Sequence, residues 1–212
     1  MNGGGYTLIA RYSNADSKNW MQRSGSWWYD RTTYYGSVTS TSDNNDMISP
    51  AFWLVQGDYI KISRNDDSSN TALLYTSSCT GDKTFRSFIT SFGDFRHGAV
   101  WNKDACRGSC YAYFGGSYSS TVGFHTAYCS GNLKSGNSLS FWCDWESGDG
   151  AVLMVGGGGN SCGRAGHGIA VTEAGDAQFG YVSNECRTHT SDRDFGFDCS
   201  SPPSYSLNLW LK

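Results

Sequence analysis

The chain has 212 residues, a formal net charge of −3 and 17% charged residues. This length suffices to bury a hydrophobic core, in one domain or in two small ones. The net charge gives no basic footprint for nucleic acid, and no apolar run approaches the roughly 18 residues that a membrane-spanning helix needs.

The cysteines indicate an extracellular chain. Eight of them lie between Cys79 and Cys199, and an even number predicts up to four disulfides and an oxidising compartment. A zinc site is disfavoured because no C-x2-C pair occurs, and the pair Cys106 and Cys110 lacks a matching second half. No signal peptide is visible at the N-terminus, so we expect Met1 to start a mature domain cut from a secreted precursor.

The acidic residues indicate turns and, at some positions, calcium. Sixteen aspartates stand against three glutamates, in a chain with 27 glycines. Aspartate favours turns and caps, whereas glutamate favours helix interiors. Loop aspartates are also the usual ligands of calcium, which binds several oxygens. We expect most of these aspartates to cap turns and a few to bind the ion.

The N-terminal half predicts short strands. Residues 6–11 form a strand after a glycine turn, and residues 13–21 predict a brief helix with Ser13 or Asn14 as its cap. Residues 51–63 predict two strands that are broken near Gly57. Residues 71–76 predict a further strand.

One helix and three strands are predicted in the rest of the chain. Phe85, Phe88, Ile89 and Phe92 follow a helical period, and Thr84 is a plausible cap. Residues 93–123 carry no clear pattern, and strands are predicted for residues 139–144, 151–155 and 206–211. Neither a repeat nor a linker divides the chain. The sequence therefore predicts one α+β domain, 1–212, irregular and loop-rich, with twisted antiparallel β-sheets, few short helices and disulfides.

The stretch 141–176 holds the residues with the most distinctive chemistry. Acids precede a predicted strand at 151–155, and four consecutive glycines follow it. His167, Glu173 and Asp176 come after the glycines. Carboxylates and an imidazole on both sides of a rigid strand favour a calcium site, with Asp149 in a glycine turn as a ligand.

Two other interpretations of this stretch are weaker. A nucleotide-binding loop fails because neither G-x-G-x-x-G nor G-K-[ST] occurs. Residues 159–163 match G-x-S-x-G, the nucleophile elbow of hydrolases, but the glycine-rich sequel does not predict the helix that should follow. A hydrolase that uses Ser161 stays a remote alternative.

Several short motifs follow one another along the chain. GGGYTL opens it at residues 3–8, and Gly36-Ser37, Thr41-Ser42-Asp43, Pro50 and Phe52 come next. Thr84-Phe85, residues 91–94, the glycines 156–159 and Gly175-Asp176 follow. This order resembles the fibrinogen-like domain superfamily, whose domains start with GGGWTL, and within it the intelectins or X-type lectins, which the run from Gly36 to Phe52 resembles.

The resemblance implies a secreted lectin that binds sugars through calcium and is not an enzyme. It implies that Asn132 and Asp149 are ligands of the sugar-binding ion, which takes two hydroxyls of a vicinal or exocyclic diol. It implies further that Asp176 binds a structural calcium and that Tyr181 forms an aromatic wall. The implied partners are cell-surface or microbial glycans, and avidity would come from several sites on a homo-oligomer or array.

Two departures from the family pattern shape the predicted site. Val152 stands where intelectins have a ligand histidine, and the segment after Gly159 is about five residues longer here. We expect His167 and Glu173, which lie inside that longer segment, to replace the missing ligands. The rival interpretation is an extracellular protein-interaction domain with purely structural calcium, and Val152 favours it.

Overall fold

The computed structural model describes residues 5–13, 28–94, 97–101, 105–114, 138–145, 149–155, 167–169 and 206–212. Over these residues the chain is mostly antiparallel β-sheet with two short helices. The strands are β1 (Thr7–Ser13), β2 (Met47–Ile48), β3 (Gln56–Gly57), β4 (Ile60–Arg64), β5 (Ala72–Thr76), β6 (Lys83–Thr84), β7 (Ala105–Phe114), β8 (Ser138–Trp145), β9 (Asp149–Val155), β10 (His167–Ile169) and β11 (Ser206–Leu211). The helices are α1 (Ala51–Leu54) and α2 (Phe85–Thr90).

Nine of the strands form one sheet in the order β10-β9-β8-β7-β5-β4-β11-β1-β2, and β3 pairs with β6 separately. All registered neighbours in the large sheet are antiparallel. β11 lies between β4 and β1, so the last described strand joins segments from the first third of the chain. The prediction of antiparallel sheets with few short helices is confirmed for the described residues.

The predicted strand at Ser206–Leu211 is confirmed, and both of its faces are buried. Its three leucines belong to the hydrophobic core. The alternate residues face the other side, where loop 37–46 covers Ser206 and Asn208. An alternating sequence usually indicates a strand with one solvent-exposed face. Here a polar loop covers that face and excludes solvent from it.

The core lies between the sheet and the helix α2. The rings of Phe88 and Phe141 meet edge to face with centroids 4.8 Å apart. The indole Nε1 of Trp142 in β8 donates to the backbone oxygen of Ile89 at 2.8 Å, which ties the helix to the sheet. A Cβ on Gly108 would lie 2.6 Å from the Phe92 ring. A side chain at Gly108 would therefore displace the Phe92 ring, which packs directly on the backbone of β7.

The predicted helix near residue 85 is confirmed, and so is its cap. α2 spans Phe85–Thr90, and the Oγ1 of Thr84 accepts a hydrogen bond from the backbone N–H of Ser87 at 3.1 Å. Phe85 and Ile89 are its buried residues. The helical spacing of the apolar residues and the capping residue therefore predicted this helix correctly.

Thr84→Ala should lower the free energy of unfolding by about 1 kcal/mol, because the N–H of Ser87 loses its acceptor. Thr84→Ser keeps a hydroxyl and should remain within about 0.5 kcal/mol of the wild type. Urea unfolding of both variants measures the difference. Equal destabilisation by serine and alanine would show that the methyl group of Thr84, and not its hydrogen bond, matters.

Two predicted elements differ from the structure. Residues 51–54 were expected to begin a strand but form α1, in which the N–H groups of Leu54 and Val55 donate to Pro50 and Ala51 at 3.0 and 3.1 Å. Pro50 has φ −56 and ψ −25, and its fixed φ favours a helical start. Ser13, expected to begin a helix, is the last residue of β1; residues 14–21 lie outside the described residues.

Disulfides are present, as the cysteine count predicts. Cys79 pairs with Cys110, and Cys106 pairs with Cys143. The first bond joins the turn after β5 to β7, and the second joins β7 to β8. No cysteine in the described ranges is free. The other cysteines, Cys129, Cys162, Cys186 and Cys199, lie outside those ranges.

Candidate functional site

The predicted site residues lie mainly outside the described part of the chain. These are Asn132, Glu173, Asp176 and Tyr181, and their roles stay predictions. For Asp149 and His167 the structure gives the backbone. Asp149 is the first residue of β9, and His167 is the first residue of β10 at the edge of the sheet.

The register places these two backbones at opposite ends of β9. His167 lies opposite Val155, the last residue of β9, whereas Asp149 is the first. This length of antiparallel strand spans about 20 Å, and calcium holds its ligands at about 2.3–2.6 Å. The structure therefore does not bring Asp149 and His167 together, and a single ion takes a ligand from one of them at most.

Val152 occupies the position where the resemblance implies a ligand histidine. Its side chain is 6% exposed and belongs to the hydrophobic core. At this position β9 therefore contributes to the hydrophobic core and supplies no metal ligand. A ligand histidine would have to come from another segment, and His167, which was predicted for this role, lies at the opposite end of β9 from Asp149 and does not share its ion.

A second candidate site is a row of aromatic residues and one lysine on the face of the sheet that points away from the core. Tyr113 of β7 lies opposite Tyr75 of β5. Lys61 of β4 lies opposite Tyr75 on one side and Trp210 of β11 on the other. Directly opposite residues of antiparallel strands share a face. We define the tyrosine face as Tyr6, Lys61, Tyr75, Tyr111, Tyr113 and Trp210.

Strand alternation places the tyrosines on this face. In β7, Tyr111 and Tyr113 are 55% and 42% exposed, whereas Ala112 between them is 1% exposed. In β5, Tyr75 is 42% exposed and its neighbour Leu74 is fully buried. Successive side chains of a strand point to opposite faces. In β5 and β7, Leu74 and Ala112 therefore point into the core, and the tyrosines point towards solvent.

The tyrosine face is ordered by contacts among its own rings. The rings of Tyr75 and Tyr113 stack with centroids 5.1 Å apart and an interplanar angle of 17°. Tyr111 meets Tyr113 edge to face at 4.8 Å. The Nζ of Lys61 lies 4.9 Å from the centroid of the Tyr6 ring and 4.6 Å from that of Trp210. These stacking and cation–π contacts fix the rings before any ligand arrives.

The charge of the tyrosine face is positive. Within the described residues no salt bridge joins Lys61 to a carboxylate, and its Nζ donates to the backbone oxygen of Asn70 at 3.4 Å. Burial lowers the pKa of Lys61. Burial also raises the pKa of the Tyr6 phenol, with smaller contributions from Tyr75 and Tyr59. The face thus carries a half-buried ammonium group among phenol rings.

Arg11 holds the polar loop 37–46 over the neighbouring part of the same sheet face. Its side chain is fully buried. Its Nε donates to the backbone oxygen of Asn45 at 2.7 Å, and its terminal nitrogens donate to those of Ser40 and Ser37 at 2.7 and 3.3 Å. Asp43 lies 3.9 Å away as an ion-pair partner. Burial lowers the pKa of Arg11, and Asp43 opposes this effect.

Side chains of the sheet bind the same loop from below. Asn208 donates to the backbone oxygen of Thr41 at 2.8 Å, and Ser206 donates to that of Asp43 at 3.0 Å. The pKa of the Asp43 carboxyl is lowered, first by the Ser40 and Ser37 hydroxyls and then by Arg11, while burial opposes them. The loop is therefore fixed on the sheet and bounds one end of the exposed face.

The described part of the chain shows neither a cluster of metal-binding side chains nor a membrane-spanning helix. No group of three or more His, Cys, Asp or Glu residues there could hold a metal ion. No helix there is long and apolar enough to cross a membrane. The predicted calcium site involves residues beyond these ranges, so it stays a prediction.

No family model and no curated protein sequence matches the chain. The resemblance to the fibrinogen-like superfamily therefore rests on the motifs alone. The antiparallel sheets, short helices and disulfides of the described fold occur in many β-rich proteins and do not test this resemblance.

The sequence did not predict the tyrosine face. Residues 93–123 carry no clear pattern as a whole, although Tyr111-Ala112-Tyr113 has the two-residue period of a strand with aromatic residues on one side. That signal covers β7 alone. The complete face also needs the register with β5, β4 and β11, which local patterns do not contain.

Proposed function

We propose that the protein is a secreted, calcium-dependent, non-enzymatic glycan-binding module that recognises vicinal or exocyclic diols. The intelectin resemblance supports the ion and the class of sugar, and the disulfides support an oxidising compartment. The structural observation that carries the proposal is the position of Asp149. It begins β9 in a hairpin with β8, and the Cys106–Cys143 bond fastens that hairpin to β7.

The chemistry follows from the coordination of calcium. The ion accepts six to eight oxygens, so about five or six protein ligands leave room for two adjacent hydroxyls of a sugar. A carboxylate at the start of a fastened strand is presented by a rigid scaffold, which is how binding residues on loops are usually positioned. Asn132 would complete the sugar site with Asp149, and Tyr181 would supply its aromatic wall. His167 and Glu173 would be calcium ligands in the segment that follows β9. Asp176 would bind a structural calcium ion.

Calcium removal should abolish glycan binding. On an array of glycans with and without terminal diols, we expect binding to the diol-bearing set in calcium, loss of signal in EDTA and recovery when calcium is restored. The physical reason is that the sugar hydroxyls are ligands of the ion and not of the protein. Retention of the diol-specific signal in EDTA would contradict the proposal.

Variants of Asp149 sharpen the same experiment. Asp149→Ala should weaken glycan binding by at least about tenfold, whereas Asp149→Asn keeps an oxygen ligand and should retain much of it. Asp82→Asn removes an exposed turn carboxylate elsewhere and should change nothing. Circular dichroism of each variant separates loss of a ligand from loss of the fold.

The rival function is a protein-interaction domain whose calcium is purely structural. The burial of Val152, where the resemblance implies a ligand, favours it. In that case calcium should raise the unfolding temperature, but no glycan should bind at any calcium concentration. A rise in unfolding temperature together with an empty array would replace the lectin proposal with this one.

A further inference from the structure

The tyrosine face has the chemistry of a ligand surface that is separate from the predicted calcium site. Tyr75, Tyr111 and Tyr113 are exposed, whereas Leu74 and Ala112 beside them are buried. From Tyr113 in β7 to Trp210 in β11 the face crosses β5 and β4, a width of about 14 Å at the usual strand spacing. An extended chain can lie across such a row.

Tyrosine suits a ligand with both apolar and hydroxyl surface. Its ring supplies apolar contact area, and its hydroxyl supplies a donor and an acceptor. Tyr75 stacks on Tyr113 and is still 42% exposed. Tyr111, at 55%, offers a second ring at the end of the row. Sugar rings present C–H groups and hydroxyls in this combination.

The positive charges of two lysines favour anionic sugars over neutral ones. The Lys61 ammonium lies over the Tyr6 and Trp210 rings, and Lys212, which is exposed, lies 5.9 Å from the same Tyr6 ring. Two cations beside the rings therefore complement an anionic ligand.

We propose that the tyrosine face binds a saccharide chain that carries carboxylate or sulfate groups, without calcium. Sugar rings pack on Tyr75 and Tyr111, and an anionic substituent pairs with Lys61. The inference rests on the proposed glycan-binding function for the class of ligand, but it uses a different surface and no metal. Burial of Lys61, which lowers its pKa, makes this ammonium gain from a bound anion.

The test measures binding in EDTA with matched pairs of probes. One pair is dextran sulfate and dextran, and the other is oligogalacturonate and its methyl ester. We expect the charged member of at least one pair to bind and the neutral member to bind at least about tenfold more weakly. The pair that responds identifies sulfate or carboxylate as the anionic group.

Variants link that binding to the face. Tyr75→Ala should weaken it about tenfold and Lys61→Gln about fivefold, while Tyr34→Ala and Lys83→Gln, at exposed positions elsewhere, should not. Tyr111→Ala repeats the ring test if Tyr75→Ala does not fold. Binding that persists in Asp149→Ala but fails in these variants separates this site from the calcium site.

Three results would overturn the inference. The first is equal binding of charged and neutral probes. The second is an equal loss in Lys83→Gln, which would indicate unspecific charge attraction. The third is the absence of binding by both charged probes. If sedimentation then shows self-association that Tyr75→Ala abolishes, the face is an interface between copies of the chain.

Discussion

Replacing Arg11 with methionine should lower the free energy of unfolding by about 3 kcal/mol, because hydrogen bonds to a charged donor contribute about 1.5–3 kcal/mol each. The guanidinium donates at 2.7 Å to the backbone oxygens of both Asn45 and Ser40. Methionine fills much of the volume but donates nothing, so these carbonyl groups lose their partners. The loop 37–46 should then detach from the sheet.

Two measurements check this expectation. Urea unfolding gives the change in free energy, and hydrogen exchange reports whether amides of loop 37–46 lose protection before the rest of the sheet. Arg31→Met is the matched control, because the Nε of Arg31 donates to Thr33, two residues away, and its guanidinium lies 5.0 Å from the ring centroid of Tyr35, four residues away. It should stay within about 0.5 kcal/mol of the wild type. An unchanged urea midpoint for Arg11→Met would contradict the role assigned to the guanidinium.

Reduction of the disulfides should unfold most of the protein. The bonds Cys79–Cys110 and Cys106–Cys143 span 31 and 37 residues, and closing loops of this size stabilises a fold by about 4 kcal/mol each in the chain-entropy model. Together they account for much of the roughly 5–15 kcal/mol by which domains are stable. Urea unfolding with and without reductant measures the effect.

Paired alanine variants divide the effect between the two bonds. Cys79→Ala with Cys110→Ala, and Cys106→Ala with Cys143→Ala, should each cost about 2–5 kcal/mol. Ser109→Ala, at an exposed position of β7 between the two bonds, should cost less than about 0.5 kcal/mol. Full reduction without any shift of the urea midpoint would show that the sheet is stable without its cross-links.

Trypsin makes the pairing itself testable. Cleavage after Arg107 separates Cys106 from Cys110, so mass spectrometry of the unreduced digest distinguishes their partners. We expect the Cys79 peptide to be joined to peptide 108–134, which holds Cys110 and Cys129, and the Cys106 peptide to be joined to peptide 135–164, which holds Cys143 and Cys162. Fragmentation of each linked pair then identifies Cys110 and Cys143 as the bonded cysteines. A direct link between Cys79 and Cys106 would contradict this arrangement.

Local signals predicted elements where the chemistry of one segment decides its conformation. Thr84 and the spaced apolar residues after it define α2 because a cap and a buried stripe act within one helix. The strand 72–76 was recognisable from its apolar run. The same reasoning failed at residues 51–54, because a short apolar run fits a buried helix as well as a strand, and Pro50 decided in favour of the helix.

The candidate sites depended much less on local signals. The sequence singled out Asp149 and His167 by residue type, but only the register of β9 and β10 shows that their backbones lie at opposite ends of one strand. The tyrosine face needs residues 6, 61, 75, 111, 113 and 210 to meet. Such a set follows from strand pairing, which no single segment contains.

By itself, the sequence determined that the chain is rich in strands and turns, carries disulfides and bears no strong charge, because these properties follow from residue type and local period. The tertiary structure decided that β11 lies between β4 and β1, that a buried arginine holds a polar loop over β11, and which cysteines pair. Strand order and register are set by the packing of distant apolar faces against one another. The surface that results, with its exposed tyrosines beside Lys61, therefore exists only in the folded chain.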